Sequence, residues 1–195
     1  MFKEKEYWAE TFESLVFNDN DIKGIEFDDC TFKNCDFKGM EFKQCRFIDC
    51  HFKQCDMNVV KFMGSRFEGT AFEDSKLTGV DWTLVDYSEF IQEAPFSFVR
   101  CVLDYSSFFG EKLENLVIKK SSVVEVDFRE ATLVGANFSE SDLSESQFRH
   151  TDLSSSDFRD ATSYTIDLRI NTITGAKFSR DEAISLLESL EITLV

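Results

Sequence analysis

A large apolar residue recurs at every fifth position over most of this chain. From Phe12 the series runs Phe17, Ile22, Phe27, Phe32, Phe37 and onward without a gap to Trp82 and Tyr87. A second series lies two residues before each of these centres: Ile25, Cys30, Cys35, Met40, Cys45, Cys50, Cys55 and Val60, then Ser65, Thr70 and Ser75. Neither an α-helix nor a flat strand has a period of five, whereas a chain that turns a corner every five residues does. Four such sides close a coil, and coils stacked through backbone hydrogen bonds are spaced roughly 4.8 Å apart. Alternation along an extended segment sends the centre and its partner two before it to the same side. Both therefore point inward, and the other three residues of each five face solvent.

The register slips by one between Tyr87 and Phe98, in a stretch that holds the only proline, Pro95. Centres then resume at Phe98, Leu103, Phe108 and Leu113 and continue to Phe158. Ser163 misses, and Leu168, Ile173 and Phe178 follow. The fold expected is an all-β solenoid, a right-handed quadrilateral β-helix of about eight coils in two segments. Residues 1–11 read as an N-terminal cap, 12–87 as the first segment, 88–97 as the register break and 98–178 as the second segment. Eighteen of the 22 phenylalanines are centres. At roughly 1.5–3 kcal/mol per buried ring, that core needs neither disulfides nor metal.

Residues 179–195 change character. Ser179 and Glu182 have the spacing of a capping box, and Ala183, Ile184, Leu187 and Leu190 recur at helical spacing. The last residues, Glu191 to Val195, alternate as a strand does. A solenoid must cover its open ends, so a short α-helical cap is expected here. The segment is more apolar than one cap needs, which makes it a candidate two-fold dimer contact through Leu186, Leu187, Leu190, Ile192 and Leu194.

Little in the chain suggests catalysis. All six cysteines occupy inward positions at spacings of five and ten, not the close pairs of a zinc site, and read as small hydrophobes. Cys30 and Cys50, like Cys35 and Cys55, are twenty apart and so adjacent in the stack, but parallel Cβ vectors suit a disulfide poorly. His51 and His150 fall on outward positions with no nucleophile beside them. No glycine-rich phosphate loop occurs. No cofactor and no metal is expected, and no enzymatic activity.

The outward charges point to partners. The formal net charge is -16, from 37 acidic and 21 basic residues, and the excess is spread over both halves. Such a field repels nucleic acid and anionic membranes and favours cationic partners. The segment MFKEKEYWAE has no apolar signal core, so the cytoplasm is the expected compartment. Counting by twenties puts Arg129, Arg149 and Arg169 on one face beside Asp127 and Asp167, as a ladder of alternating charge. Glu140, Asp142, Glu145, Asp152, Asp157 and Asp160 read as an acidic patch that could bind a partner.

Ala136-Asn137-Phe138, Ser141-Asp142-Leu143, Thr151-Asp152-Leu153 and Ser156-Asp157-Phe158 resemble the consensus of the pentapeptide-repeat family. The two segments, the acidity and the ending from Ala176 to Ile192 look like that family's gyrase-protecting branch. This branch includes Qnr-type quinolone-resistance proteins and the self-immunity proteins against albicidin and microcin B17. The resemblance implies a non-enzymatic DNA mimic that binds DNA gyrase or topoisomerase IV, dimerises through its C-terminal end and relieves poisoning by a fluoroquinolone, albicidin or similar agent. Two features depart from that pattern. The register break is too short for the long loops of the Qnr proteins. Lys33, Lys38, Lys43 and Lys53 dilute duplex mimicry in the first coils and favour the C-terminal half as the contact. The alternative is a pentapeptide-repeat scaffold or interaction module with an unrelated partner.

Overall fold

A computed structural model describes residues 2–17, 21–88, 94–188 and 190. The chain is a parallel β-solenoid of about eight turns. Strand pairs are twenty residues apart through the first coils: Tyr7 pairs with Phe27, Phe27 with Phe47, and Phe47 with Phe67. The same interval links Phe12, Phe32, Phe52 and Phe72. Each coil therefore has four five-residue sides. Side 1 carries Tyr7 and Phe27, side 2 Phe12 and Phe32, side 3 Phe17 and Phe37, and side 4 Ile22 and Phe42.

The corners explain how five residues can turn. The residue two after nearly every centre adopts a left-handed backbone, at all eight glycines and at residues such as Asp29 (φ 52), Val59 (φ 52), Tyr105 (φ 60) and Glu125 (φ 55); Leu84, in the 3-10 turn after Trp82, is an exception. L-residues resist that region by about 1–2 kcal/mol each. The ladder hydrogen bonds on either side hold them there, as when the Tyr105 amide donates to the Val124 carbonyl at 2.9 Å.

Inside, the centres form four columns. Rings on the same side stack nearly parallel, Phe32 over Phe52 at 4.7 Å and Phe108 over Phe128 at 5.3 Å. Rings on adjacent sides meet edge to face, as Phe42 and Phe47 do at 5.4 Å. Both arrangements suit the ring quadrupole. The partner residues are buried as expected, and all six cysteines are free and buried.

Four sequence expectations are revised. The solenoid begins inside the segment read as a cap: Glu6–Trp8 already pairs with Glu26–Asp28. Among the described residues, Phe2 plugs this end, its ring 5.1 Å from Phe27 and 5.2 Å from Phe12. The register slip is an insertion of more than one residue. Phe72 pairs with Phe98 and Lys76 with Val102, so this coil is longer by six residues, which equals one in a period of five. The chain enters the insertion on side 1, where the Asp86 amide donates to Ser65, and leaves it where the Ala94 amide donates to Glu114. Residues 89–93 of the break at 88–97 lie outside the described residues. Third, the missing centre at Ser163 is replaced. Tyr164 and Ile166 turn inward, and Ile166 bridges to Phe148 two residues early. Asn171 restores the register by donating to the Phe148 and Asp167 carbonyls and accepting from the Thr151 amide, each at 3.0 Å. Fourth, the capping box does not form. Ser179 Oγ instead accepts from the Asp160 amide at 2.8 Å and bonds its carboxylate, and the end is a 3-10 turn, Glu182–Ile184, running into one α-turn, Ser185–Glu188.

Candidate partner-binding surface

Because each side is a ladder, the outward charges can be assigned to columns. The six candidate acids do not form one patch. Asp142 bridges to Ser122 and belongs to side 3 with Glu145; Asp152 bridges to Thr132 on side 1, the opposite side; Asp157 bridges to Asn137 on side 2, with Glu140 and Asp160. Sequence proximity grouped residues that lie on three different sides of adjacent coils.

Their partners also differ. On side 2, Glu140 pairs with Lys120 at 3.4 Å and Asp157 with Arg159. The Arg159 guanidinium holds the Asp157 carboxyl below its ordinary range. Asp142 and Asp152 accept from the amide and hydroxyl of Ser144 and Ser154 and form no ion pair among the described residues. The arginine ladder occurs in part: Arg129 and Arg169 clamp Asp127 and Asp167 at 2.7 and 2.9 Å, whereas Gln147 stands where Arg149 would need an aspartate.

Over the whole rod, sides 2 and 4 are close to balanced. Glu13–Lys33, Asp74–Arg100 and Lys120–Glu140 run up side 2, and Asp21–Lys43, Glu41–Lys61 and Asp127–Arg129 up side 4. The surplus acidity falls on the two opposite sides. Side 1 holds Asp28, Asp29, Asp49 and Glu68 without an ion pair among the described residues. Side 3 holds Asp36, Asp56, Asp104, Glu125, Asp142 and Glu145 against Lys38 and Lys76. The lysines of the first coils offset less than expected, because Lys33 and Lys43 are engaged by Glu13, Asp21 and Glu41.

At the C-terminal end, Leu186 is buried, Leu187 is half-buried, and Leu190 and Ile184 are exposed. Ile192 and Leu194 lie outside the described residues. No three metal-ligating side chains converge among the described residues. Burial raises the thiols of Cys30 and Cys45 and pushes Cys50 up to about 12 and Cys101 up to about 11, whereas Cys35 and Cys55 split through their shared hydrogen bond, which lowers Cys35 and raises Cys55. His51 is half-buried and His150 exposed. No helix among the described residues is long and apolar enough to cross a membrane.

A parallel square solenoid with an Asx turn at many outward positions is what the pentapeptide repeat encodes, and the chain belongs to the pentapeptide-repeat family. Family models for a pentapeptide repeat region and for eight pentapeptide repeats match residues 25–108 and 124–160. Among solved structures, the chain is similar to full-length QnrB1, a plasmid-mediated fluoroquinolone resistance protein. The match has 21% identity and a TM-score of 0.57, over 96% of this chain and 100% of that one. A trypsin-treated QnrB1 variant matches at 22% identity and TM-score 0.57, over 97% and 98%. This likeness establishes the shared fold. No curated protein sequence matches the chain.

Proposed function

We propose that this protein acts without catalysis, as a DNA-mimicking ligand of DNA gyrase or topoisomerase IV that protects the enzyme from a topoisomerase poison, and that it does so as a dimer joined at the C-terminal end. The observation that carries this reading is the placement of uncompensated acid on sides 1 and 3. Coils rise by roughly 4.8 Å, and five of the seven coils from residue 35 to 165 place one or two carboxylates on side 3, a row whose spacing approaches that of a DNA strand, about one phosphate per 3.4 Å. A surface that binds duplex DNA through lysine and arginine would meet a similar field here. The likeness in fold to a fluoroquinolone resistance protein supports the same reading.

Side 3 keeps Asp142 and Glu145 as contacts, whereas Glu140 and Asp157 are neutralised on side 2. The balanced ladders of sides 2 and 4 have no counterpart in a duplex and favour the second reading, a repeat scaffold for an unrelated partner. A gyrase supercoiling assay separates the two, with the protein titrated alone, with ciprofloxacin and with albicidin. Near-stoichiometric protein should restore supercoiling in the presence of one drug, and that drug names the branch. Neither rescue nor inhibition at large excess would leave only the scaffold reading.

A further inference from the structure

Several of the large apolar side chains exposed on this rod flank the outer face of side 4, Val59 and Tyr105 at its corner with side 3 and Met63 and Phe109 toward its other end. Val59, Met63, Tyr105 and Phe109 are 51, 41, 60 and 41% exposed. Val59, Gly79 and Tyr105 stack in successive coils, since the Val59 amide donates to Thr78 at 2.8 Å and the Gly79 amide to Asp104 at 2.8 Å. Met63, Thr83 and Phe109 form a second column at the other end of side 4, with Lys61, Asp81 and Ser107 between the two. The apolar residues thus make two rows roughly 10 Å apart. The coil between them offers only Gly79, Asp81 and Thr83 at the equivalent positions.

The result is a notch with apolar walls and one carboxylate at its floor. Asp81 accepts from the Thr83 amide at 3.1 Å and the Thr83 hydroxyl at 2.6 Å, and it has no ion pair among the described residues. The nearest cations are committed elsewhere: Lys61 to Glu41 at 2.9 Å, and Arg129 to Asp127 at 2.7 Å, with its guanidinium 5.5 Å from the centre of the Phe109 ring. Glu111, at a position where other coils place a small inward residue, adds a second negative charge without an ion pair among the described residues. Burial raises its carboxyl, and Asp81 raises it further.

We propose that this notch receives an arginine or lysine side chain from a protein partner, its stem against Val59, Met63 and Tyr105 and its cationic head on Asp81. Both side chains combine an apolar stem with a charged head, and aromatic faces attract such cations. A second copy of this acidic chain is disfavoured by charge. A duplex has no such apolar walls, so the notch would supply affinity that DNA mimicry alone does not. As a gyrase contact, the inference rests on the function proposed above.

An amide NMR titration with a hexa-arginine peptide tests the notch without gyrase. Shifts should concentrate at Gly79, Asp81, Thr83 and Tyr105. Asp81→Asn should abolish that concentration, and a Tyr105→Ala/Phe109→Ala double variant should weaken binding at least fivefold. Shifts spread along sides 1 and 3 with no excess at the notch would overturn the proposal, as would a double variant whose sedimentation changes from dimer to monomer. Gyrase binding is the second measurement: both variants should lose about tenfold in affinity, the loss from Asp81→Asn fading at high salt and the loss from the double variant persisting. Wild-type protein that ignores gyrase would sink the gyrase reading and leave the peptide result to decide the notch.

Discussion

The coils before the insertion and those after it build the same square rod from different side chains. Before it, the centres are mostly phenylalanine and cysteine is the commonest inward partner; after it, most centres are leucine or phenylalanine and most partners are serine, threonine or alanine, with Cys101, Leu116 and Val126 among the exceptions. The two partner types differ chemically. A buried serine joins two coils twice: Ser141 Oγ donates to the Ile118 carbonyl and accepts from the Ser121 amide, both at 3.1 Å. A cysteine thiol such as Cys50 only donates, weakly, to Phe27 at 3.3 Å. Charges differ in the same sense. In the first coils, ion pairs staple neighbouring coils, as Glu26–Arg46 and Glu41–Lys61 do. In the later coils most are local clamps within one side, such as Asp127–Arg129 and Asp157–Arg159. Spacing, and not residue chemistry, fixes the solenoid. The first half holds its coils by stacking and exposed pairs, the second by satisfied interior polar groups.

The largest test deletes a centre in each half. Phe52 stacks on Phe32 at 4.7 Å and Phe72 at 5.0 Å and meets Phe37 and Phe47 edge on, so Phe52→Ala should cost about 3–5 kcal/mol. Leu133→Ala should cost about 2–5 kcal/mol, toward the lower end if the smaller neighbours collapse around it. Hydrogen exchange should show the loss confined to adjacent coils, because a solenoid is stabilised by nearest neighbours. Equal loss of protection from end to end in either variant would break the comparison and mean that the rod unfolds as one unit.

A reciprocal swap is more pointed. Ser141→Cys removes the acceptor of a buried amide and should cost about 1–3 kcal/mol in denaturant unfolding. Cys50→Ser should change stability by less than about 1 kcal/mol. The new hydroxyl would face the Cys30 amide as Ser65 and Ser75 face the Cys45 and Cys55 amides, both at 3.0 Å. A large loss in Cys50→Ser would show that the first half depends on sulfur packing itself.

These differences also mark what could be read from the sequence. The columns were legible because each centre repeats the same physical demand every five residues. The insertion was legible only modulo five: Tyr87 to Phe98 gives a slip of one, and pairing of Phe72 with Phe98 is needed to see six extra residues. The capping box failed because Ser179 had a nearer partner in Asp160, one coil back. The acidic patch failed for a related reason, since residues ten apart in sequence, such as Asp142 and Asp152, are on opposite sides. The notch on side 4 left a faint signal, aromatic residues at the outward positions of Tyr105 and Phe109, which gains meaning only when Gly79 and Asp81 are stacked between the rows.

The smallest effect concerns the junction between the halves. Asp86 anchors the chain where it enters the insertion: Ser88 donates to it through its amide at 2.9 Å, Arg66 Nε through a 2.8 Å contact, and Arg66 also donates to Ser88 Oγ at 3.0 Å. The Ser88 hydrogen bonds and the Arg66 guanidinium lower its carboxyl to about 2. A carboxyl depressed in the folded state stabilises the fold above its unfolded value, near 3.9, and that stabilisation is lost as pH falls through about 4 to 2. The side chain remains partly open to solvent, so the effect should be below about 1 kcal/mol. Asp86→Asn keeps an acceptor for the Ser88 amide but carries no charge. Its stability should lie slightly below wild type at pH 7, and the two curves should converge by pH 2. Convergence would assign the junction to this charged contact. A constant offset at every pH would instead assign it to packing, and the two halves would then be coupled through Trp82 stacked between Phe62 at 5.5 Å and Phe108 at 5.7 Å.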